Sequence, residues 1–167
     1  MSPRLPTSLL LLALSACGSG AAPAGRFGLE VVMERAVATE LTALQVAVLT
    51  RGSSRSCTEL QRTCLSTQVK REDLVVLEDA DGNEGRALRF PVDLAALQSG
   101  AGLDLAVDIP VGRDYALVIE AVAPGSPPRF LGSSCNYLKV VNAGDNAAVI
   151  AAPLTLTEKD CDPSIAP

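Results

Sequence analysis

The chain has no histidine and no tryptophan, and its 167 residues include only three Phe and two Tyr. Without histidine, Ser-His-Asp and Cys-His catalysis are excluded, and so is every histidine-ligated metal site. A Ser–Lys pair is the nearest remaining nucleophilic arrangement, but Lys70, Lys139 and Lys159 lie in no recognisable motif. The scarcity of flat rings argues against a carbohydrate cleft. Paired carboxylates could still hydrolyse a glycosidic bond. The acids here fall mostly in turns or alternate outward along strands, as Asp104 and Asp108 do, which reads more plainly as charge on a sheet's wet face. Basic residues number 14 against 19 acidic, so the chain offers nucleic acid no complementary charge and anionic lipid no overall attraction. Neither a C-x-x-C pair nor a phosphate loop is present. These absences favour a non-enzymatic protein that carries no cofactor.

A run of roughly 20 apolar residues, the length of a membrane-spanning helix, is also missing. The N-terminus has a shorter one. Arg4 precedes an apolar stretch from Leu5 to Leu14, and small residues then lead into Cys17, the layout of a secretory signal peptide. Leu14-Ser15-Ala16-Cys17 resembles the lipobox of bacterial lipoproteins. The resemblance implies cleavage before Cys17, a diacylglyceryl group on its sulfur and acylation, such as palmitoylation, of the new amine. More than one acyl chain matters, because a single chain binds membranes only marginally. Gly18 after the cysteine, by analogy with enteric bacteria, points to the outer membrane, with the periplasmic or surface face left open. The expected organisation is a signal peptide over 1–16, a lipidated cysteine and flexible tether over 17–25, and one domain over 26–167. Loss of the signal removes Arg4 and leaves 13 basic residues against 19 acidic, a net charge of −6.

Four further cysteines remain: Cys57, Cys64, Cys135 and Cys161. An even number in an exported chain predicts two disulfides, with three possible connectivities. Pairing of sequence neighbours, Cys57–Cys64 and Cys135–Cys161, is favoured; loops of that length would contribute about 2.5 and about 3.5 kcal/mol on the chain-entropy model. A four-thiolate zinc site is disfavoured, because six residues separate Cys57 from Cys64, more than the usual ligand spacing.

From Phe27 onward the signal is short apolar runs between turn residues. Leu103 to Ile109 alternates apolar with small or acidic side chains, the period of a half-buried strand. Tyr115 to Val122 is almost continuously apolar and predicts a central strand buried on both faces. Leu74–Leu77 and Leu88–Val92, joined by the turn-rich Asp79–Gly85, predict a hairpin, with Pro91 confining the second strand to an edge. Further strands are expected at Phe27–Met33, Leu44–Leu49, Phe130–Leu131, Tyr137–Val141 and Ala147–Leu156. Ser56 and Glu59 have the spacing of a capping box, so one helical turn is expected near 56–61. The predicted class is all-β, a single antiparallel β-sandwich.

Ile109-Pro110-Val111-Gly112 and the strand from Arg113 to Ala121 resemble a passage of immunoglobulin-like and transthyretin-like modules. Phe130-Leu131-Gly132 through Asn142-Ala143-Gly144 to Leu156 resembles their final strands, and both passages recur in lipoproteins of the myxobacterial kind. The resemblance covers about a third of the chain, implies a sandwich, and carries over no functional residue. One candidate ligand site remains. Asp79, Asp81, Asn83 and Glu84 surround Gly82 with oxygen donors that could hold calcium, but the twelfth position of an EF-hand loop counted from Asp79 is Phe90, and a plain turn explains the same residues. The expected function is therefore an envelope interaction or structural module, bound to the membrane through lipid on Cys17 and contacting another envelope protein. The alternative is a calcium-assisted or glycan-binding module that uses the 79–84 turn.

Overall fold

The computed structural model describes residues 23–31, 40–95, 104–151, 154–159 and 161–165. The expected signal peptide, the lipobox-like segment with Cys17, Gly18 to Ala22, and the end of the expected Phe27–Met33 strand lie outside these residues. The chain is an all-β sandwich of two sheets. Its strands are β1 (Ala24–Val31), β2 (Ala43–Thr50), β3 (Leu77–Asp79), β4 (Glu84–Gly85), β5 (Leu88–Pro91), β6 (Asp104–Pro110), β7 (Gly112–Ala123), β8 (Arg129–Val141), β9 (Gly144–Asp145), β10 (Val149–Ala151) and β11 (Thr155–Lys159). The first sheet runs β10-β1-β6-β3-β4, with β9 also beside β1, and the second runs β11-β8-β7-β2-β5.

Period-two patterning accounts for the core between the sheets. Leu105, Val107 and Ile109 of β6 meet Leu44, Val46 and Val48 of β2 and Leu117, Ile119 and Ala121 of β7 in one cluster. Pro91 does end an edge strand: β5 pairs with β2 and forms the border of the second sheet.

Several expectations are corrected. Both sheets are predominantly antiparallel as expected, and the exception is β1, which runs parallel to both β9 and β10. The hairpin after Leu77 closes on Glu84–Gly85, and Leu88 crosses to the other sheet. The two short strands expected at Phe130 and Tyr137 are one, the thirteen-residue β8. Residues 147–156 divide between the two sheets as β10 and β11. The first strand starts at Ala24, two residues inside the segment read as tether. Gly25 is needed there, since a Cβ would stand 2.2 Å from the Asn142 carbonyl oxygen.

The outer face of the second sheet carries a third layer. Ala47 and Leu49 of β2, Ala116 and Val118 of β7 and Cys135 of β8 pack beneath Leu60, Leu65, Leu74 and Ile165. The first three of those belong to an excursion over residues 51–74, here called the cap, and Ile165 belongs to the C-terminal tail. The cap contains the expected helical turn, α1 (Cys57–Leu60), whose Ser56 hydroxyl accepts a hydrogen bond from the Glu59 N–H at 3.4 Å.

Candidate functional site

Strand register brings one polar residue from each strand of the second sheet into a single transverse row. Arg89 of β5 lies opposite Gln45 of β2, and Gln45 opposite Glu120 of β7. Glu120 lies opposite Ser133 of β8, and Ser133 opposite Thr155 of β11. The row runs under the cap, and Gln45, Glu120 and Ser133 are buried. The Arg89 guanidinium donates to Gln45 Oε1 at 2.9 Å. Gln45 Nε2 donates to Glu120 Oε2 at 2.8 Å and to the Pro163 carbonyl of the tail at 2.6 Å. The Leu65 N–H of the cap donates to Glu120 Oε1 at 2.7 Å. At the far end, Gln61 Nε2 of the cap donates to the Ser133 carbonyl at 3.1 Å and to Thr155 Oγ1 at 3.4 Å.

Glu120 is only 1% exposed, and its burial pushes the carboxyl up to about 7, against the opposing pull of the Leu65 N–H, the Gln45 amide and the Arg89 charge. Covered in this way, the group clasps cap and tail to the sheet and has no access to a substrate in solution. The sequence reading missed the row. Its signal was a lone Glu inside an apolar strand and a lone Gln inside another, residues that stay buried only when partnered.

All four described cysteines are paired, but not as sequence proximity favoured. Cys57 bonds Cys135 and Cys64 bonds Cys161, with Cα separations of 5.4 and 6.0 Å, so the pairings 57–64 and 135–161 are replaced. The cap explains the exchange. Lying flat across β8, it presents Cys57 to the sheet and Cys64 to the tail, and the Cys64 N–H donates to Cys161 Sγ at 3.1 Å. The Tyr137 hydroxyl donates to the Arg55 carbonyl at 2.7 Å and accepts from the Cys57 N–H at 3.0 Å, which fixes the cap's entry against β8.

The acidic turn is organised by Asp79. Its Oδ1 accepts from the N–H groups of Asp81 and Asn83 at 2.9 and 2.8 Å, and its Oδ2 accepts from Asn83 Nδ2 at 2.9 Å. These bonds hold the Asp79 carboxyl below its ordinary range. Gly82 supplies the positive φ, and Glu84 belongs to β4, opposite Glu78. Among the described residues no group of three or more Cys, Asp or Glu side chains is arranged to hold a metal ion.

Two open grooves lie at opposite ends of the sandwich. The β6–β7 end has one of about 390 Å³ lined by Ser53, Asp114, Tyr115, Tyr137, Leu138 and Lys139. Ser53 and Lys139 come near each other here, but the Ser53 hydroxyl donates to Asp114 at 3.0 Å. That contact holds Asp114 at φ 63°, a left-handed conformation that aspartate tolerates. The β7–β8 end has a groove of about 330 Å³ lined by Pro127, Pro128, Arg129, Lys159, Cys161 and Asp162. Lys70 lies on the cap, 3.8 Å from Glu72. No family model matches the chain, and searches of curated proteins and of solved structures find no similar protein.

Proposed function

We propose that the protein is an exported, lipid-anchored module of the bacterial cell envelope that works by contact rather than by catalysis. The observation that carries this reading is the state of the cysteines. Two long-range disulfides, one across the cap and β8 and one across the cap and the tail, are structural bonds of an oxidising compartment, which matches the export signal. The lipobox cysteine then has a separate task, since the other four are used in pairs.

The anchor would fix which surface is presented. Pro23 lies six residues beyond Cys17 and is bonded to the β6–β7 turn, so that end is held near the membrane. Along β7, about 36 Å of strand at about 3.3 Å per residue separates it from the other end. The distal end carries the loop Pro124 to Pro128 and the groove beside Arg129 and Lys159. Sheet edges are poorly suited to accepting a partner's strand. Strands β4 and β10 have two and three residues, β5 contains Pro91, and β11 has an irregular register with β8. Loops at the distal end are therefore the surface for another envelope protein.

Cys17→Ala tests the reading. The variant should leave the membrane fraction and appear in the soluble envelope fraction, with its disulfides intact. Membrane association that survives the substitution would refute the anchor.

A further inference from the structure

We infer that the β6–β7 end of the sandwich, formed by Val76, Val111, Arg113, Lys139 and Val140, rests directly on the lipid bilayer. The inference depends on lipidation of Cys17 and adds a second, non-covalent membrane contact to it.

The first argument is reach. The Val111 N–H donates to the Pro23 carbonyl at 2.9 Å, so the chain leaves the sandwich beside Val111. Six residues, even fully extended, span at most about 20 Å, so an anchored chain holds this corner near the headgroups whatever the conformation between. The second argument is where apolar surface lies. The exposed large hydrophobic residues among those described are four: Val76 at 42%, Val111 at 42%, Tyr137 at 50% and Val140 at 52%. Val111 forms the β6–β7 turn, Val140 lies opposite Arg113 and Tyr137 opposite Ala116. Continuing the β3–β6 register places Val76 level with Pro110, the last residue of β6. Val76, Val111 and Val140 thus gather at one end of the molecule, where isolated exposed valines would be scattered, and Tyr137 stands about 13 Å further along β8 from its end at Val141.

The third argument is charge. The mature chain carries a net −6, which repels an anionic bilayer, yet Arg113 and Lys139 flank Val140 at this end and enter no ion pair among the described residues. Of the acids nearby, Asp108 is paired with Arg26 at 3.0 Å and Asp114 accepts from Ser53, while Asp145 and Glu78 stand within electrostatic range of the same Arg26. Valines that enter the interface and basic side chains on the phosphates make the composition of a peripheral membrane contact, while the Tyr137 hydroxyl stays bonded to the cap.

The absence of tryptophan supplies the experiment. Val140→Trp and Pro124→Trp each place a single reporter in the acylated full chain, one at this end and one at the distal end. Each protein is reconstituted in vesicles of phosphatidylethanolamine and phosphatidylglycerol, with and without brominated acyl chains, and acylation of the Cys17 peptide is checked by mass spectrometry. The expected result is a blue-shifted V140W emission that loses most of its intensity in brominated vesicles, with P124W unshifted and unquenched. Val111→Trp serves as a second reporter at this end should V140W fail to fold. If Cys17 is acylated and both reporters behave as P124W is expected to, the bilayer contact is refuted and the anchor stands. An unacylated Cys17 refutes both. A V140W emission blue-shifted only in native membranes and never quenched by brominated lipid assigns the surface to a protein and overturns the inference.

Discussion

Glu120 shows how one residue joins three layers. Both its carboxyl oxygens accept hydrogen bonds, one from the cap and one from Gln45, which in turn holds the tail. Its pKa, about 7 in the fold against 4.5 for a free glutamate, means that folding takes up a proton. A raised carboxyl contributes stability that is complete below about pH 4.5 and is lost as pH rises through 7, so this group makes unfolding easier across that window. The amount is about 3 kcal/mol in order of magnitude. Urea denaturation at pH 5 and at pH 8 should show the wild-type chain losing stability between them. Glu120→Gln should flatten that slope. At pH 5 it should also cost about 1–3 kcal/mol, because its amide would turn a donor toward the Gln45 donor. An unchanged slope in E120Q would assign the titration elsewhere. At lower pH the order reverses, since Asp73, Asp79 and Asp162 are held below their ordinary values by hydrogen bonds and ion pairing and lose those contacts on protonation.

At the scale of elements, strands whose side chains alternate were readable from sequence. The alternating segment appears from Asp104 on as β6, because period-two burial depends only on which face meets the core, and Tyr115–Val122, read instead from its almost unbroken apolar run, is the centre of β7. The hairpin after Leu77 was readable as a turn but not in its partner, since Asp79 fixes the local bend while the choice between sheets is made by distant packing. The cap was not readable as a layer. Its short turns have no periodicity, and only its helical turn had a local cue, Ser56 with Glu59. Peptide mapping under non-reducing conditions should recover Cys57 joined to Cys135 and Cys64 joined to Cys161; a 57–64 peptide as the main species would contradict the cap's placement. Each bond closes a loop of 78 or 97 residues. Replacing either pair by serine should therefore cost about 4–5 kcal/mol on the chain-entropy model, read as a lower urea midpoint. Gly25 gives a test in β1. Gly25→Ala would drive a methyl group into the Asn142 carbonyl and should cost about 1–3 kcal/mol.

For the whole molecule, sequence gave the class, a two-sheet sandwich, because many short alternating segments have few other ways to bury one face. It did not give the third layer or the binding ends, which arise where segments far apart in sequence converge. The anchor and the fold should be independent. Core packing begins at Phe27, and Ala24 is the first residue of β1, so Cys17→Ala should release the protein without changing its melting temperature. A lowered Tm would show that the lipidated segment supports the domain.

The disulfide connectivity has a consequence for the order in which the protein matures. A chain delivered across a membrane N-terminus first presents Cys57 and Cys64 together, while Cys135 and Cys161 are still inside. At that moment, with the Cys17 sulfur taken by lipid as proposed, the only partner for each is the other, across six intervening residues, and this is the bond the finished protein lacks. The cap can close only after β8 and then the tail have emerged. Biogenesis of this protein should therefore depend on a catalyst that reshuffles disulfides as well as one that forms them, and cells without the isomerase should accumulate chains trapped with Cys57 joined to Cys64.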